Sequence, residues 1–422
     1  MGDRRRVRIL WQNEHYPDPV KGGGGAINTH YIVSALKRMG HEAVVLARGP
    51  EGCLPFREDI DGVTVQRMAP PELPERLWPL WPLLESRYVI NSMASLIKPF
   101  DAYMGIDSWF ALAVKKLYPE KPLVYRVEGN QKTHDLAVTA NENSTLNSKI
   151  GRRRRYLRRL LSAENEFIER RAWRACDAIV VKSEFMKREL QKFYNISFGK
   201  IHVVPNGVDY ERFAKATATD EVLVRLDNMS HSKVVILFCG RLVGMKNVSF
   251  LLRAFAKMKH KEQAILAILG EGEQRMFLEK EAHRLEIATQ TRFLGHSDRV
   301  EAFMAASDIF VLPSVYEPFG NALLEAMAAG LPCIALRPDS AKIRTAANEI
   351  LDDQESGFLV SGDFHEELAT KLDLLADNRE LRSRIGRVGQ AICQARYDWR
   401  KCASQYLSII LARGTRTSRM YC

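Results

Sequence analysis

Two cations and two carboxylates in the second half of the chain have the types and spacing that chemistry on a phosphorylated ligand requires. Gly240-Arg241-Leu-Val-Gly-Met-Lys246-Asn247 follows an apolar run, Val234 to Cys239, and precedes a helical pattern. Arginine offers a planar fork matched to phosphate oxygens, and lysine a compact point charge. At a strand-to-helix junction the pair could neutralise a diphosphate; two solvated surface cations are the other reading. Further along, Pro313-Ser-Val-Tyr-Glu317-Pro-Phe-Gly-Asn-Ala-Leu-Leu-Glu325 sets one carboxylate just before a helical pattern and one inside it. Their spacing is slightly over two turns, about 12 Å of rise, so both can face one cleft at different depths. Between them the N–H groups of Phe319, Gly320, Asn321, Ala322 and Leu323 fall at the helix start, where unpaired amides can meet a polar or anionic ligand. Sugar hydroxyls are natural partners for such carboxylates. The alternatives are a helix-dipole acid at 317 and a structural ion pair at 325.

Near the N-terminus, Lys21-Gly-Gly-Gly-Gly-Ala26 follows the first apolar run and is read as a loop opening a helix, with a phosphate-facing backbone or a plain surface turn as its two meanings. No Gly-Lys-Ser/Thr follows, so it is not a Walker loop. Ile27 stands where a dinucleotide fingerprint needs its third glycine, and Ala47-Arg48-Gly49 lacks the acid that would hold a ribose hydroxyl. These two gaps oppose a dinucleotide-dependent oxidoreductase. Asp59-Ile-Asp61 spells an Asp-x-Asp pattern of the kind that holds metal-nucleotide complexes, but Asp61-Gly62 reads better as a hairpin turn.

The elements that must position these residues alternate between strand and helix. Val7–Trp11, Glu42–Ala47, Ala102–Met104, Leu123–Val127 and Ala178–Val181 are short apolar runs, and a helix is expected from about Ala26 to Met39. The pattern breaks at Val204-Pro-Asn-Gly-Val-Asp209 and restarts at Val234. Runs at 265–269, 292–294, 309–312 and 332–336 then alternate with helices at 248–258, 274–285, 299–305 and 321–329. Such alternation predicts α/β architecture: two Rossmann-like, doubly wound parallel-sheet domains facing across a cleft, with ligands at the carboxyl ends of the strands. The expected division is residues 1–209 and 232–396, a linker at 210–231, and an amphipathic helix at about 397–412 returning to the first domain.

A chain of 422 residues with 46% hydrophobic and 27% charged residues fits a folded protein of two or three domains. No apolar run approaches the roughly 18 to 20 residues of a membrane span, and Val7 to Trp11 is too short for a secretory signal. Seven scattered cysteines without a Cys-x-x-Cys are expected as reduced thiols, which points to the cytoplasm. The net charge of +11 favours an anionic partner. Gly151-Arg-Arg-Arg-Arg-Tyr-Leu-Arg-Arg-Leu160 has three readings: a solvated helix face, a contact with an anionic membrane or phosphorylated acceptor, and nucleic-acid binding. The last lacks any accompanying recognition motif and is set aside. Trp78 and Trp81, among prolines, are read as packing, with an acceptor or membrane contact as the alternative.

Together GRLVGMKN, SVYEPFGNALLEAMAAGLP and VPNGVD resemble the signature stretches of the retaining GT-B glycosyltransferases of family 4. The glycine-rich segment, Leu269-Gly-Glu-Gly-Glu273 and Phe293-Leu-Gly-His296 fall where that family has counterparts. The resemblance implies a nucleotide-sugar donor, with UDP favoured by family frequency, and transfer to a saccharide, lipid-linked or small-molecule hydroxyl. It implies that Arg241 and Lys246 neutralise the diphosphate, that Glu317 and the amides from Phe319 hold the donor sugar, and that Glu325 takes the ribose. Gly24 and Gly25 would approach the distal phosphate, and the backbone at His296 would meet the base. Cations and amides would carry the leaving charge, so no metal or other cofactor is expected. One departure stands out: Glu128 occupies the place where the family usually has a histidine, so it is grouped with the donor-binding residues. The alternatives are a GT-B epimerase or hydrolase, and a nucleotide-responsive scaffold without transfer activity.

Overall fold

A computed structural model describes residues 6–16, 19–49, 56–68, 99–129, 165–227, 232–339 and 342–418. The first domain comprises β1 (Arg8–Gln12), α1 (Pro19–Arg38), β2 (Glu42–Arg48), β3 (Phe56–Ile60), β4 (Val63–Met68), β5 (Ala102–Gly105), α2 (Ser108–Leu117), β6 (Leu123–Arg126), α3 (165–175), β7 (Ala178–Val181), α4 (Glu184–Tyr194) and β8 (Ile201–Val203). Its sheet runs β3-β4-β2-β1-β5-β6-β7-β8, parallel throughout except for the β3–β4 hairpin. Strands covered on both faces need apolar residues at successive positions, which is why β1, β5, β6 and β7 read as unbroken runs and are almost wholly buried.

The second domain opens with two short helices, α5 (Tyr210–Ala214) and α6 (Asp220–Leu226). It continues through β9 (Val234–Cys239), α7 (Val248–Ala256), β10 (Ala264–Leu269), α8 (Arg275–Arg284), β11 (Thr291–Gly295), α9 (Val300–Ala305), β12 (Ile309–Leu312), β13 (Tyr316–Glu317), α10 (Asn321–Ala328), β14 (Cys333–Leu336), β15 (Arg344–Thr345), α11 (Ala347–Ile350), β16 (Gly357–Val360), α12 (His365–Asp377) and α13 (Arg379–Arg396). Its six-stranded sheet is parallel, in the order β11-β10-β9-β12-β14-β16. The chain then returns: α14 (Trp399–Ser418) packs on the first domain, with Trp399 stacked on Tyr31 at 5.1 Å and Tyr406 against Trp11 at 5.5 Å.

Two expectations about local structure change. The glycines at 22–25 are not a loop but part of α1, which starts at Pro19. Proline is preset for a first helical turn, and its missing N–H costs nothing there. The Gly25 carbonyl is held further by Asn13 Nδ2 at 3.2 Å and Thr29 Oγ1 at 2.9 Å. The stretch read as a linker carries α5 and α6, whose Phe213, Val222 and Leu226 are buried in the core of the second domain. Helices of one or two turns bury too few residues to display a 3.6 period.

Candidate active site in the cleft

β9 and β10 end in loops that pack against each other. A Cβ on Gly270 would lie 2.0 Å from the Gly240 carbonyl oxygen, so only glycine admits this approach. Leu242 N–H donates to the Glu271 carbonyl at 2.8 Å, and Gln274 N–H to that of Leu242 at 3.0 Å. This frame presents Arg241, which is exposed and has no ion pair or side-chain hydrogen bond with any described residue. Lys246 Nζ lies 2.5 Å from Glu317 Oε2, with both side chains mostly buried. The segment from β13 into α10 turns at Gly320, whose φ of +103° suits glycine.

The N–H of Leu323 donates to the Gly320 carbonyl at 3.0 Å, so it is not open to a ligand as the sequence suggested. The amides of Gly320, Asn321 and Ala322 precede the first helical hydrogen bond and remain candidates. Phe319 is buried against Tyr397, with ring centroids 6.1 Å apart, and sets the angle of entry into the helix. Glu325 lies deeper. Burial pushes its carboxyl up to about 7, and Glu301 adds to the rise while Arg212 opposes it. Arg212 itself is drawn to Glu301 at 2.7 Å. His296 is exposed at the end of β11, with its ring 3.8 Å from Asp298.

Across the gap stands the first domain. A Cβ built on Gly24 would meet Asn321 Nδ2 at 3.1 Å, and one on Gly25 would meet the Glu128 carboxyl carbon at 3.3 Å. Glu128 follows β6 and is gripped twice, by Arg126 Nε at 2.8 Å and Lys182 Nζ at 2.7 Å. Burial raises its pKa, but Arg126 and Lys182 outweigh that and bring the carboxyl down to about 2. These partners of Glu128, and the contacts that join the domains, were not anticipated from the sequence. Ser183 Oγ donates to the Pro318 carbonyl at 2.7 Å, and the Glu349 carboxylate accepts from the N–H groups of Glu184 and Phe185. Glu189 and Arg344 also form an ion pair between the domains. The available signals were charges at the ends of apolar strands, as in Leu123-Val-Tyr-Arg-Val-Glu128, but nothing in the spacing pairs them across the fold.

Asp59 and Asp61 lie on the hairpin, where the Asp59 carboxylate accepts from Gly62 N–H at 2.8 Å. Among the described residues no group of three or more histidine, cysteine, aspartate or glutamate side chains is placed to hold a metal ion. None of the described helices is long and apolar enough to cross a membrane. The arginine run at 152–159, His134, Trp78 and Trp81 lie outside the described residues.

Two Rossmann-like domains facing across such a cleft form the GT-B architecture of glycosyltransferases. Over residues 227–391 the chain matches the model of glycosyl transferases group 1, and over 22–212 that of Glycosyltransferase Family 4. It is 27% identical over 333 residues to an uncharacterized glycosyltransferase of Methanocaldococcus jannaschii, covering 77% of this chain and 78% of that protein. It is 26% identical over 424 residues to the glycogen synthase of Mycobacterium tuberculosis, covering 97% and 96%. In fold it is similar to Anabaena HepE, solved in complex with UDP, with a TM-score of 0.69, 18% identity and coverage of 96% and 100%. The chain belongs to the GT-B glycosyltransferases of family 4.

Proposed function

We propose that the protein transfers the glycosyl group of a nucleoside-diphosphate sugar, with UDP the favoured carrier, to an acceptor hydroxyl, retaining the anomeric configuration and requiring no metal ion. The second domain, from α5 through α13, takes the donor. The first (1–209, with the returning helix at about 397–412) takes a saccharide, lipid-linked or small-molecule acceptor. The grouping of Arg241, Lys246, Glu317 and the start of α10, facing Gly24 and Gly25 across the cleft, carries this reading. UDP is favoured because HepE, of like fold, was solved with UDP and with UDP-glucose. Retention follows the family resemblance.

In the reaction the bond from the sugar's anomeric carbon to the distal phosphate oxygen breaks and a bond to the acceptor oxygen forms. The nucleoside diphosphate departs, and the acceptor hydroxyl gives up one proton. Negative charge grows on the departing phosphate while the sugar carbon becomes oxocarbenium-like. Arg241, Lys246 and the α10 amides meet the first charge, and Glu317 takes a donor-sugar hydroxyl. The Lys246–Glu317 contact holds both side chains oriented before the donor arrives. Glu325 holds the ribose hydroxyls, and the backbone at His296 meets the base.

A transfer assay with UDP-, GDP- and ADP-sugars, run beside thermal unfolding, tests the reading. A diphosphate that binds only the folded form should raise stability by about 2.7 kcal/mol at ~100 times its dissociation constant. Arg241→Ala and Lys246→Ala should each lower turnover more than about tenfold while the fold survives. Normal turnover by Arg241→Ala would place the phosphate elsewhere.

A further inference from the structure

A chain of side-chain hydrogen bonds crosses the cleft in one direction. Arg126 Nη2 donates to Asn206 Oδ1 at 2.9 Å, Asn206 Nδ2 to Asn321 Oδ1 at 2.8 Å, and Asn321 Nδ2 to Asn28 Oδ1 at 3.2 Å. A guanidinium can only donate, so wholly buried Arg126 fixes the orientation of every amide that follows. The chain ends on Asn28, which is 2% exposed, and its Nδ2 is buried without a partner. A buried donor left unpaired is costly and calls for an acceptor. Beside it the exposed Gly24 lacks a side chain. The Cβ position there lies 3.1 Å from Asn321 Nδ2 and 4.0 Å from Asn28 Nδ2, so two amide nitrogens flank the space a side chain would fill.

We propose that Asn28 is a donor-binding residue whose Nδ2 hydrogen-bonds an oxygen of the distal phosphate, with Asn206 and Asn321 as positioning residues that aim it. The proposal rests on the nucleotide-sugar reading above. The distal phosphate is the moiety that fits: Asn28 bonds Asn321 at the first position of α10, next to the turn that follows Glu317, whereas the ribose-side Glu325 lies about one turn further along the helix. Because Arg126 also grips Glu128, the same chain registers both walls of the cleft.

Calorimetry with UDP, GDP and ADP, and with the monophosphate of whichever base binds, tests the assignment on wild-type, Asn28→Asp, Gly24→Ala and Arg241→Ala protein. Asn28→Asp keeps the acceptor that Asn321 needs and replaces the free donor with an anionic oxygen. Diphosphate affinity should fall about tenfold or more, with monophosphate affinity nearly unchanged. Gly24→Ala, which a helix favours, should give the same selective loss by filling the space, and it decides the matter if Asn28→Asp fails to fold. Unchanged diphosphate affinity in the soluble variants while Arg241→Ala weakens it would overturn the role of Asn28 and leave the phosphate site standing. Equal loss of mono- and diphosphate would also overturn it. Failure of the wild type to bind any of the three diphosphates would overturn both readings.

Discussion

Removing the Glu128 carboxylate should strand a charge inside the first domain. Arg126 is wholly buried, and Glu128 lies 2.8 Å from its Nε. The Glu128 carboxyl falls from its ordinary 4.5 to about 2, burial opposing and Arg126 and Lys182 prevailing. A fall of that size corresponds to about 3 kcal/mol of native-state stabilisation. Breaking a buried pair by truncating one partner costs roughly 3–5 kcal/mol, so Glu128→Ala should cost about 3 kcal/mol. Because the folded-state pKa lies below the unfolded one, this contribution is complete above about pH 5.5 and is lost as the pH falls toward 2. By pH 3 about 2 kcal/mol of it should be gone, and variant and wild type should converge.

Global unfolding of a two-domain chain is not a two-state process, so the assay is native-state hydrogen exchange read at β6 and β7. Replacing both Arg126 and Glu128, as Arg126→Met with Glu128→Gln, removes the wholly buried cation but leaves Lys182 without its carboxylate, so it should recover part of the loss at pH 7. Two results would refute the reasoning. One is a Glu128→Ala deficit as large at pH 3 as at pH 7; the other is a double variant no more protected than Glu128→Ala.

Two further outcomes concern the donor side. Burial lifts Glu325 to about 7, and a ribose diol bonds best to the ionised carboxylate, so nucleotide binding should tighten as the pH rises from about 5.5 through 7 and should release a proton. Calorimetry in buffers of different ionisation enthalpy measures this; Glu325→Gln should flatten the pH dependence, and proton uptake in the wild type would contradict it. Transfer should persist in excess EDTA, because Arg241, Lys246 and the α10 amides supply the positive field. Complete loss restored by magnesium or manganese would return Asp59 and Asp61 to consideration.

The parts of this molecule that could be read in advance are those whose physics is local. Strands buried on both faces announce themselves as apolar runs, so five of the second sheet's six strands were legible within a residue or two, as at Ile309–Leu312, while the short β16 was missed. The motif around Glu317 and Glu325 was legible as a sequence pattern, but its two-turn spacing was not: Glu317 lies in β13, the chain turns at Gly320, and only about one turn of α10 separates Asn321 from Glu325. The start of α1 was not legible, since four glycines carry a loop propensity of about 1 kcal/mol each relative to alanine. What offsets that preference is Pro19 and the grip of Asn13 and Thr29 on the Gly25 carbonyl, and of these the Asn13 contact comes from outside the helix. The cleft is a harder case. Arg126 meets Asn206 across 80 positions, Asn206 meets Asn321 across 115, and Asn321 meets Asn28 across 293. Each is an ordinary polar residue in its own segment, and none has a spacing that selects the next. A motif names groups that one domain offers to a ligand. The register between two domains is carried by pairs, and those pairs exist only when the end of β6, the turn at 204–209, α1 and the start of α10 come within hydrogen-bond reach.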